Sequence, residues 1–344
     1  MEKSKNRAKG IIIALVVVAV ILLVSAVAFS GILGPSATIQ NTPTTSQTSS
    51  TTSQSVGPST TAHSQSSSVV SQVSSGLVAS DPLTSGNISD WTLSASGVAS
   101  ENSSGLYVNA PQTGNQWADS FAARSVGNAE VYHAVLTMPY STITNGSFNM
   151  GLYVQAAQPV NYISCGVGVN NQGHYWQVVY GTGNISQANN YQVLNFSYNK
   201  PSLSQGCTII TNGANLLTVY IGSTMVYSNS SMNLAIPAPF NTYLEVEAIN
   251  STGESLQGIF SNFYASLNNT ITLSGAPSGG IVKIAGSSIP LNATVGSNGV
   301  ATITLPAYQE PQSGTIQVYD SSGKLVASTA SSVTLWGGDT YSMG

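Results

Sequence analysis

Two acidic residues, Glu245 and Glu247, stand two positions apart in the segment YLEVEAI, residues 243–249. The alternation of apolar and polar residues predicts a β-strand with Leu244 and Val246 on one face and both glutamates on the other. Their Cα atoms would then lie about 6.6 to 6.8 Å apart. Because retaining glycosidases use two carboxyl groups about 5 to 5.5 Å apart, the pair is a candidate for catalysis. The alternative is an acidic strand face that meets solvent.

A second group of chemically capable residues is His174, Tyr175 and Trp176 in the segment GHYWQVVYG. Aromatic planes with neighbouring amides bind sugars, because the rings cover the apolar faces of pyranoses. This predicts a ligand-binding cluster. In a strand, however, His174 and Trp176 share one face and Tyr175 lies on the other, so the alternative places Trp176 in the core and His174 at its rim.

The sequence offers no pattern for a cofactor or for zinc. The histidines His63, His133 and His174 are scattered, and the two cysteines, Cys165 and Cys207, are far apart, so no zinc-ligand spacing exists. No glycine-rich phosphate loop joins a strand to a helix. No serine can be assigned to a Ser-His-Asp triad, because the histidines have no identifiable partner. We therefore expect no cofactor.

The chain begins with a short basic segment and a long apolar run. Charged residues are only 6% of the chain, yet residues 1–10 contain Lys3, Lys5, Arg7 and Lys9, and an apolar run follows from 11 to 33. A helix of this length spans roughly 34 Å, enough to cross a membrane. A basic flank on the cytoplasmic side then places the rest of the chain outside the cell, as a single-pass membrane protein.

Three fates of this segment remain open. It is retained as a signal anchor, or it is cleaved after the small-residue sequence 26–28, which would release the ectodomain. Alternatively, Lys9-Gly10 before the apolar run resembles the processing site of archaeal pilin-like precursors. Cleavage there would leave a mature chain that begins at Ile11 and assembles into a filament or envelope through its hydrophobic helix.

The part after residue 33 has four basic residues against eleven acidic ones, a net charge near −7. Four scattered cations cannot form a nucleic-acid-binding face.

On the exterior side, Cys165 and Cys207 are expected to form a disulfide; a pair of buried thiols is the alternative. Asn-x-Ser/Thr triplets for N-glycosylation begin at Asn87, Asn102, Asn145, Asn184, Asn195, Asn229, Asn250, Asn268 and Asn292.

The exterior part divides by composition into a stalk and two all-β domains. Residues 34–76 are rich in Ser and Thr and nearly free of charge, which predicts a disordered stalk. Short runs of alternating residues fill 77–267, including the hairpin LLTVYIGSTMVY, residues 216–227. Residues 268–344 suit a small immunoglobulin-like sandwich. Its predicted core is Ile271, Leu273, Val282, Ile284, Leu291, Val295, Ile303, Leu305, Ile316, Val318, Leu325 and Val326.

The segment 79–110 resembles the opening of concanavalin A-like jelly-roll domains, with Asp81, Leu83, Trp91 and Leu106 at the corresponding places. The hairpin at 216–227 and the segment SNFYAS are similar to strands of laminin-G-like relatives. The whole arrangement of flank, anchor, stalk, jelly roll and small sandwich also resembles membrane-anchored surface proteins of archaea. This resemblance implies a jelly-roll fold and a location at the cell surface.

The resemblance also bears on the candidate sites. Jelly-roll relatives often bind Ca²⁺, which makes Asp81, Asp90 and Asp119 candidate ligands. Jelly-roll glycosidases carry Glu-x-Asp-x-Glu on the catalytic strand, whereas this chain lacks the third acid after Glu245 and Glu247. We therefore expect a non-catalytic surface protein that binds carbohydrate or another surface protein in adhesion. The alternatives are a glycoside hydrolase that uses this glutamate pair and a pilin-like structural subunit.

Overall fold

The computed structural model describes residues 68–183, 191–198, 202–251, 253 and 255–344. All of them belong to one compact unit of the chain, Ser64–Gly344. No helix in this part is long and apolar enough to cross a membrane. The predicted flank, the anchor and the stalk up to residue 67 lie outside the described residues, as does the sequon at Asn184.

The described chain is all-β, with a single turn of 3-10 helix at Ala307–Gln309. In chain order the strands are β1 (Ser68–Ser74), β2 (Leu77–Asp81), β3 (Thr92–Leu93), β4 (Ala99–Asn102), β5 (Gly105–Asn109), β6 (Ala118–Gly127), β7 (Val131–Thr137), β8 (Ser147–Ala156), β9 (Tyr162–Asn170), β10 (Gly173–Gly181), β11 (Tyr191–Ser197), β12 (Ser204–Thr211), β13 (Leu217–Ile221), β14 (Thr224–Asn229), β15 (Phe240–Ile249), β16 (Gln257–Ser266), β17 (Thr270–Ser274), β18 (Ile281–Ala285), β19 (Leu291–Thr294), β20 (Ala301–Thr304), β21 (Gln312–Tyr319), β22 (Leu325–Ser328), β23 (Val333–Leu335) and β24 (Thr340–Met343).

Strands β2 to β16 form a sandwich of two antiparallel sheets. The front sheet has the order β11-β10-β9-β8-β15-β6-β3, and the back sheet has the order β14-β13-β12-β7-β16-β5-β4, with β2 beside β16. The predicted hairpin at 216–227 is confirmed as β13 and β14. The strand predicted at 243–249 is confirmed as part of β15, with Leu244 and Val246 buried.

The core of this sandwich lies between the two sheets. Strand β8 shows why: Phe148, Met150, Leu152 and Val154 alternate with polar residues or glycine and all point inward. A disulfide joins Cys165 of β9 in the front sheet to Cys207 of β12 in the back sheet, with 5.9 Å between the Cα atoms. The disulfide therefore links the two layers through the core.

The C-terminal domain consists of β1 and β17 to β24 around a separate apolar cluster. The residues predicted as its core are buried there, apart from Val326, which is half-buried, and Leu325, which is 43% exposed. Leu325 begins β22, where its side chain meets solvent.

The predicted stalk, residues 34–76, is wrong at its C-terminal end, because Ser68–Ser74 form strand β1. Residues Ser68 and Val69 pair in parallel with β22, and the rest of the strand pairs antiparallel with β24. Val70 is buried in the C-terminal core. The partner strands lie more than 250 residues further along the chain. The serine-rich local sequence therefore does not predict this strand, because only long-range pairing stabilises it.

Side chains from both domains meet in a region that we call the joint. The ring of Tyr264 stacks on His133 and packs edge-on against Trp336. Its hydroxyl donates to the carbonyl oxygen of Ala307. Asp339 accepts a hydrogen bond of 2.7 Å from the amide of Gly76. The WGGDTYS segment of the C-terminal domain thus holds the two domains together.

Candidate functional site

The outward face of the front sheet carries the predicted glutamate pair. Because residues alternate along β15, Glu245 and Glu247 point away from the core that Leu244 and Val246 help to form. On the neighbouring strand β6, Asp119 lies directly opposite Glu247. The sheet register therefore creates a cluster of three acids on one face, two from β15 and one from β6.

Polar partners from β8 complete this cluster. Asn149 lies opposite Glu247 on the other side of β15. The hydroxyl of Tyr153 donates a hydrogen bond of 2.9 Å to Oε1 of Glu247. Tyr175 of β10 donates in turn to Oδ1 of Asn149. Glu247 is thus held by a phenol in a network of polar side chains that runs across β15, β8 and β10.

Glu245 is the most unusual member of the cluster. Its side chain is fully buried, and among the described residues no N–H or hydroxyl group donates to its carboxyl oxygens; the hydrogen bond available to it is the one to the neighbouring carboxyl of Glu247. Burial raises the pKa of Glu245 well above its usual value, and the negative charges of Glu247 and Asp119 raise it further. Such a carboxyl holds its proton at a pH where an exposed glutamate is ionised.

The other two acids shift in the same direction. Burial raises the pKa of Glu247, although the hydrogen bond from Tyr153 opposes the shift. Burial also raises the pKa of Asp119. The cluster therefore takes up protons more readily than three isolated carboxylates, and its charge changes with pH.

Glycines in the front sheet provide the space for tyrosine rings beside the acids. A Cβ at Gly168 would lie 2.3 Å from Cζ of Tyr175 and 2.2 Å from Oδ1 of Asn149. A Cβ at Gly181 would lie 2.2 Å from the ring of Tyr162. Only glycine permits these rings to lie so close to the sheet. In the segment CGVGVN of β9, the cysteine and the valines thus pack in the core, and the glycines lie on the opposite face beside the acids.

Aromatic side chains flank the acids on both sides. Towards β6, the ring of Phe121 packs edge-on against Tyr243 at 5.1 Å. Towards β11, Phe196 and Tyr198 pack against one another at 4.9 Å between ring centroids, and both contact Tyr175. Exposed rings stand at the margins of this half of the sandwich: Trp117, two residues before Asp119, and Tyr191 at the start of β11. We call these acids and rings together the acidic-aromatic face.

The predicted cluster of His174, Tyr175 and Trp176 is divided between two faces. Tyr175 belongs to the acidic-aromatic face, whereas Trp176 packs against the core of the sandwich. Nε2 of His174 lies 2.5 Å from the carbonyl oxygen of Tyr140. The structure therefore brings one of the three residues to the site.

The candidate calcium ligands are not brought together. Asp81 accepts a hydrogen bond of 2.8 Å from Nε1 of Trp91. Arg124 lies 3.8 Å from Asp81 and 3.2 Å from Asp90, and so occupies the place of a cation between them. Asp119 points to the opposite face of β6 from Arg124, as strand alternation requires. Among the described residues, no group of three or more His, Cys, Asp or Glu side chains could hold a metal ion.

The sequons differ in the accessibility of their asparagines. Asn195 and Asn268 are half-buried and hydrogen-bonded: Nδ2 of Asn195 donates to the carbonyl oxygen of Val226, and Oδ1 of Asn268 accepts from the amide of Thr270. The other described sequon asparagines are exposed: Asn87, Asn102, Asn145, Asn229, Asn250 and Asn292.

The sequence did not indicate that Asp119, Asn149 and Tyr153 belong to the site. One signal was available, since Asn149, Gly151 and Tyr153 alternate with large apolar residues in β8. Alternation shows which residues share a face of one strand, but the neighbours of Glu247 depend on the order and register of three strands.

No protein-family model matches this chain, and no curated protein matches it. Solved structures that resemble part of it include a carbohydrate-binding module from Bacillus subtilis, with 10% identity over 52% of this chain and 97% of that chain and a TM-score of 0.35. A putative β-glucanase from Mycobacterium abscessus has 9% identity over 55% and 100% of the two chains and a TM-score of 0.40. The κ-carrageenase from Pseudoalteromonas carrageenovora has 9% identity over 60% and 98% and a TM-score of 0.37. Similarity at this level assigns neither an activity nor a ligand to this chain.

Proposed function

We propose that this protein binds carbohydrate through the acidic-aromatic face and does not cleave it. The observation that carries the proposal is the combination of aromatic rings and hydrogen-bonding carboxyl and amide groups on one sheet face. Rings such as Phe196 and Tyr243 can cover the apolar faces of sugar rings. Glu247, Asp119 and Asn149 can accept hydrogen bonds from sugar hydroxyls.

Burial of Glu245 supports binding without catalysis. A general acid must come within hydrogen-bond distance of the oxygen that it protonates. Glu245 has no exposed surface, so a glycosidic oxygen cannot reach it in this conformation. Glu245 can instead act through Glu247, its neighbour on β15. Its carboxyl gains or loses a proton with pH, and this changes how strongly Glu247 accepts hydrogen bonds.

Binding is tested with the full chain in mild detergent on an array of oligosaccharides. Phe196→Ala and Tyr243→Ala should each weaken binding roughly tenfold, the effect of losing about 1.4 kcal/mol of contact. Tyr107→Ala is the matched control, because Tyr107 is a half-buried tyrosine on β5 in the back sheet. If the front-sheet variants bind as wild type does, or if the control loses as much affinity, the face is not the binding site.

Glycoside hydrolysis is the second candidate function. It is favoured by a difference between the two glutamates: burial raises the pKa of Glu245 well above its usual value, whereas the hydrogen bond from Tyr153 opposes the rise in the pKa of Glu247. Acid and nucleophile pairs are built from such differences. Incubation with β-glucans separates the two functions. Release of reducing ends that Glu245→Gln abolishes would establish hydrolysis, whereas binding without release supports our proposal.

We further propose that the protein is exposed at the cell surface and anchored by residues 11–33, with glycans or surface proteins as its partners. The apolar run and its basic flank support this location. N-terminal sequencing of the mature protein tests it. A start at Ile11 would support a pilin-like subunit instead, and a start after Ala28 would support a released protein.

A further inference from the structure

The charge on the acidic-aromatic face restricts which carbohydrates it can accept. Among the described residues, the lysines and arginines are Arg124, Lys283 and Lys324. Arg124 points to the other side of β6, where it pairs with Asp81 and Asp90. Lys283 and Lys324 belong to the C-terminal domain. No described cation therefore balances the acids of this face.

We propose that the acidic-aromatic face selects uncharged glycans and excludes anionic ones, such as sulfated or uronate polymers, and that Asp119 is a main determinant of this selectivity. The inference rests on the proposed function and specifies its ligand class. Asp119 and Glu247 are both half-buried and stand opposite one another on adjacent strands. A carboxylate or sulfate bound above them meets like charges at close range, and nothing described on the face offsets the repulsion.

A second observation concerns the hydrogen-bonding groups of the face. Oε1 of Glu247 accepts a hydrogen bond from the hydroxyl of Tyr153, and the half-buried carboxyl groups of Glu247 and Asp119 can accept further hydrogen bonds from a ligand. Sugar hydroxyls can donate such hydrogen bonds, whereas sulfate and carboxylate groups only accept hydrogen bonds at neutral pH.

Selectivity should also depend on pH. The raised pKa values of Asp119 and Glu247 mean that both groups lose charge as the pH falls. The described groups that face them are Glu245 on β15, Asn149 and Tyr153 on β8, Tyr162 on β9 and Tyr175 on β10, and all of these are uncharged or acidic. Lower pH should therefore weaken the discrimination against anions.

The experiment compares polymers that share a backbone and differ in their charged substituents: laminarin with sulfated laminarin, and methyl-esterified with de-esterified homogalacturonan. The full chain in mild detergent should bind the neutral member of a recognised pair at least tenfold more tightly at about 20 mM salt. The ratio should shrink towards unity at about 500 mM salt, where the charges are screened.

Variants then test whether the acidic-aromatic face causes the difference in affinity between neutral and anionic polymers. Asp119→Asn should reduce the ratio of neutral to anionic affinity at least threefold, and Glu247→Gln should repeat this from the neighbouring strand. Glu130→Gln is the control, because it removes one acid beside the back sheet and should leave the ratio unchanged. A ratio of one for the wild type, or a ratio that Glu130→Gln lowers as much as Asp119→Asn does, overturns the inference alone. If neither member of any pair binds, the proposed function fails as well.

Discussion

The carboxyl of Glu310 in the joint makes the stability of the protein depend on pH. It follows the 3-10 helix and is 7% exposed. Its Oε2 atom accepts hydrogen bonds of 3.0 Å from Oγ of Ser266, at the end of β16, and from the amide of Gly337 in the C-terminal domain. Oε1 is buried and has no hydrogen-bond partner among the described residues. Burial raises the pKa of Glu310 from 4.5 to about 7, with a smaller contribution from the charge of Asp339.

The free energy of unfolding depends on pH because the folded and unfolded states bind the proton of Glu310 with different affinity. Between the unfolded pKa of 4.5 and the folded pKa of about 7, the unfolded chain releases this proton while the native state keeps it. The stability that protonated Glu310 contributes is therefore complete at low pH and is lost as the pH rises through this window. At about 1.36 kcal/mol per pKa unit, the loss between about pH 4 and about pH 8 is about 3 kcal/mol.

Glu310→Gln measures this contribution directly, because glutamine mimics the protonated acid and can still accept from Ser266. Urea unfolding of the wild type and the variant, each at about pH 4 and about pH 8, gives four free energies of unfolding. Other buried acids, such as Glu245, contribute equally to both proteins and cancel in the difference. We expect the stability of the variant relative to wild type to rise by about 3 kcal/mol from the lower to the higher pH. A difference that stays constant with pH would refute the assignment of a raised pKa to Glu310.

Three further predictions concern the fold and the site. Replacing Cys207 by serine should lower the free energy of unfolding by about 4 kcal/mol, estimated for a closed loop of this length and read from urea midpoints. Val70→Asp should destabilise the C-terminal domain by at least about 3 kcal/mol because it buries a charge, whereas Val73→Asp, at a position 67% exposed, should change stability by less than about 0.5 kcal/mol; equal effects would argue against the pairing of β1. Gly168→Ala should abolish glycan binding while circular dichroism stays native, and Gly114→Ala, with open space around its Cβ, should bind as wild type does.

Local patterns in the sequence predicted much of the sandwich. Alternation in β15 placed Glu245 and Glu247 on the face opposite Leu244, because strand geometry has a fixed period of two. The hairpin of β13 and β14 follows from a Gly-Ser turn between two alternating runs. These features depend on residues close together in the chain, so a single segment contains the information that determines them.

Tertiary structure alone decided the composition of the site and the limits of the domains. Asp119 becomes a neighbour of Glu247 through the register of β6 on β15, more than 120 residues away in sequence. Strand β1 becomes part of the C-terminal domain through pairing with β22 and β24. Glu310 becomes buried because two domains close over it. In each case the determining contact joins distant segments, and local composition carries no record of which distant segment will supply the partner.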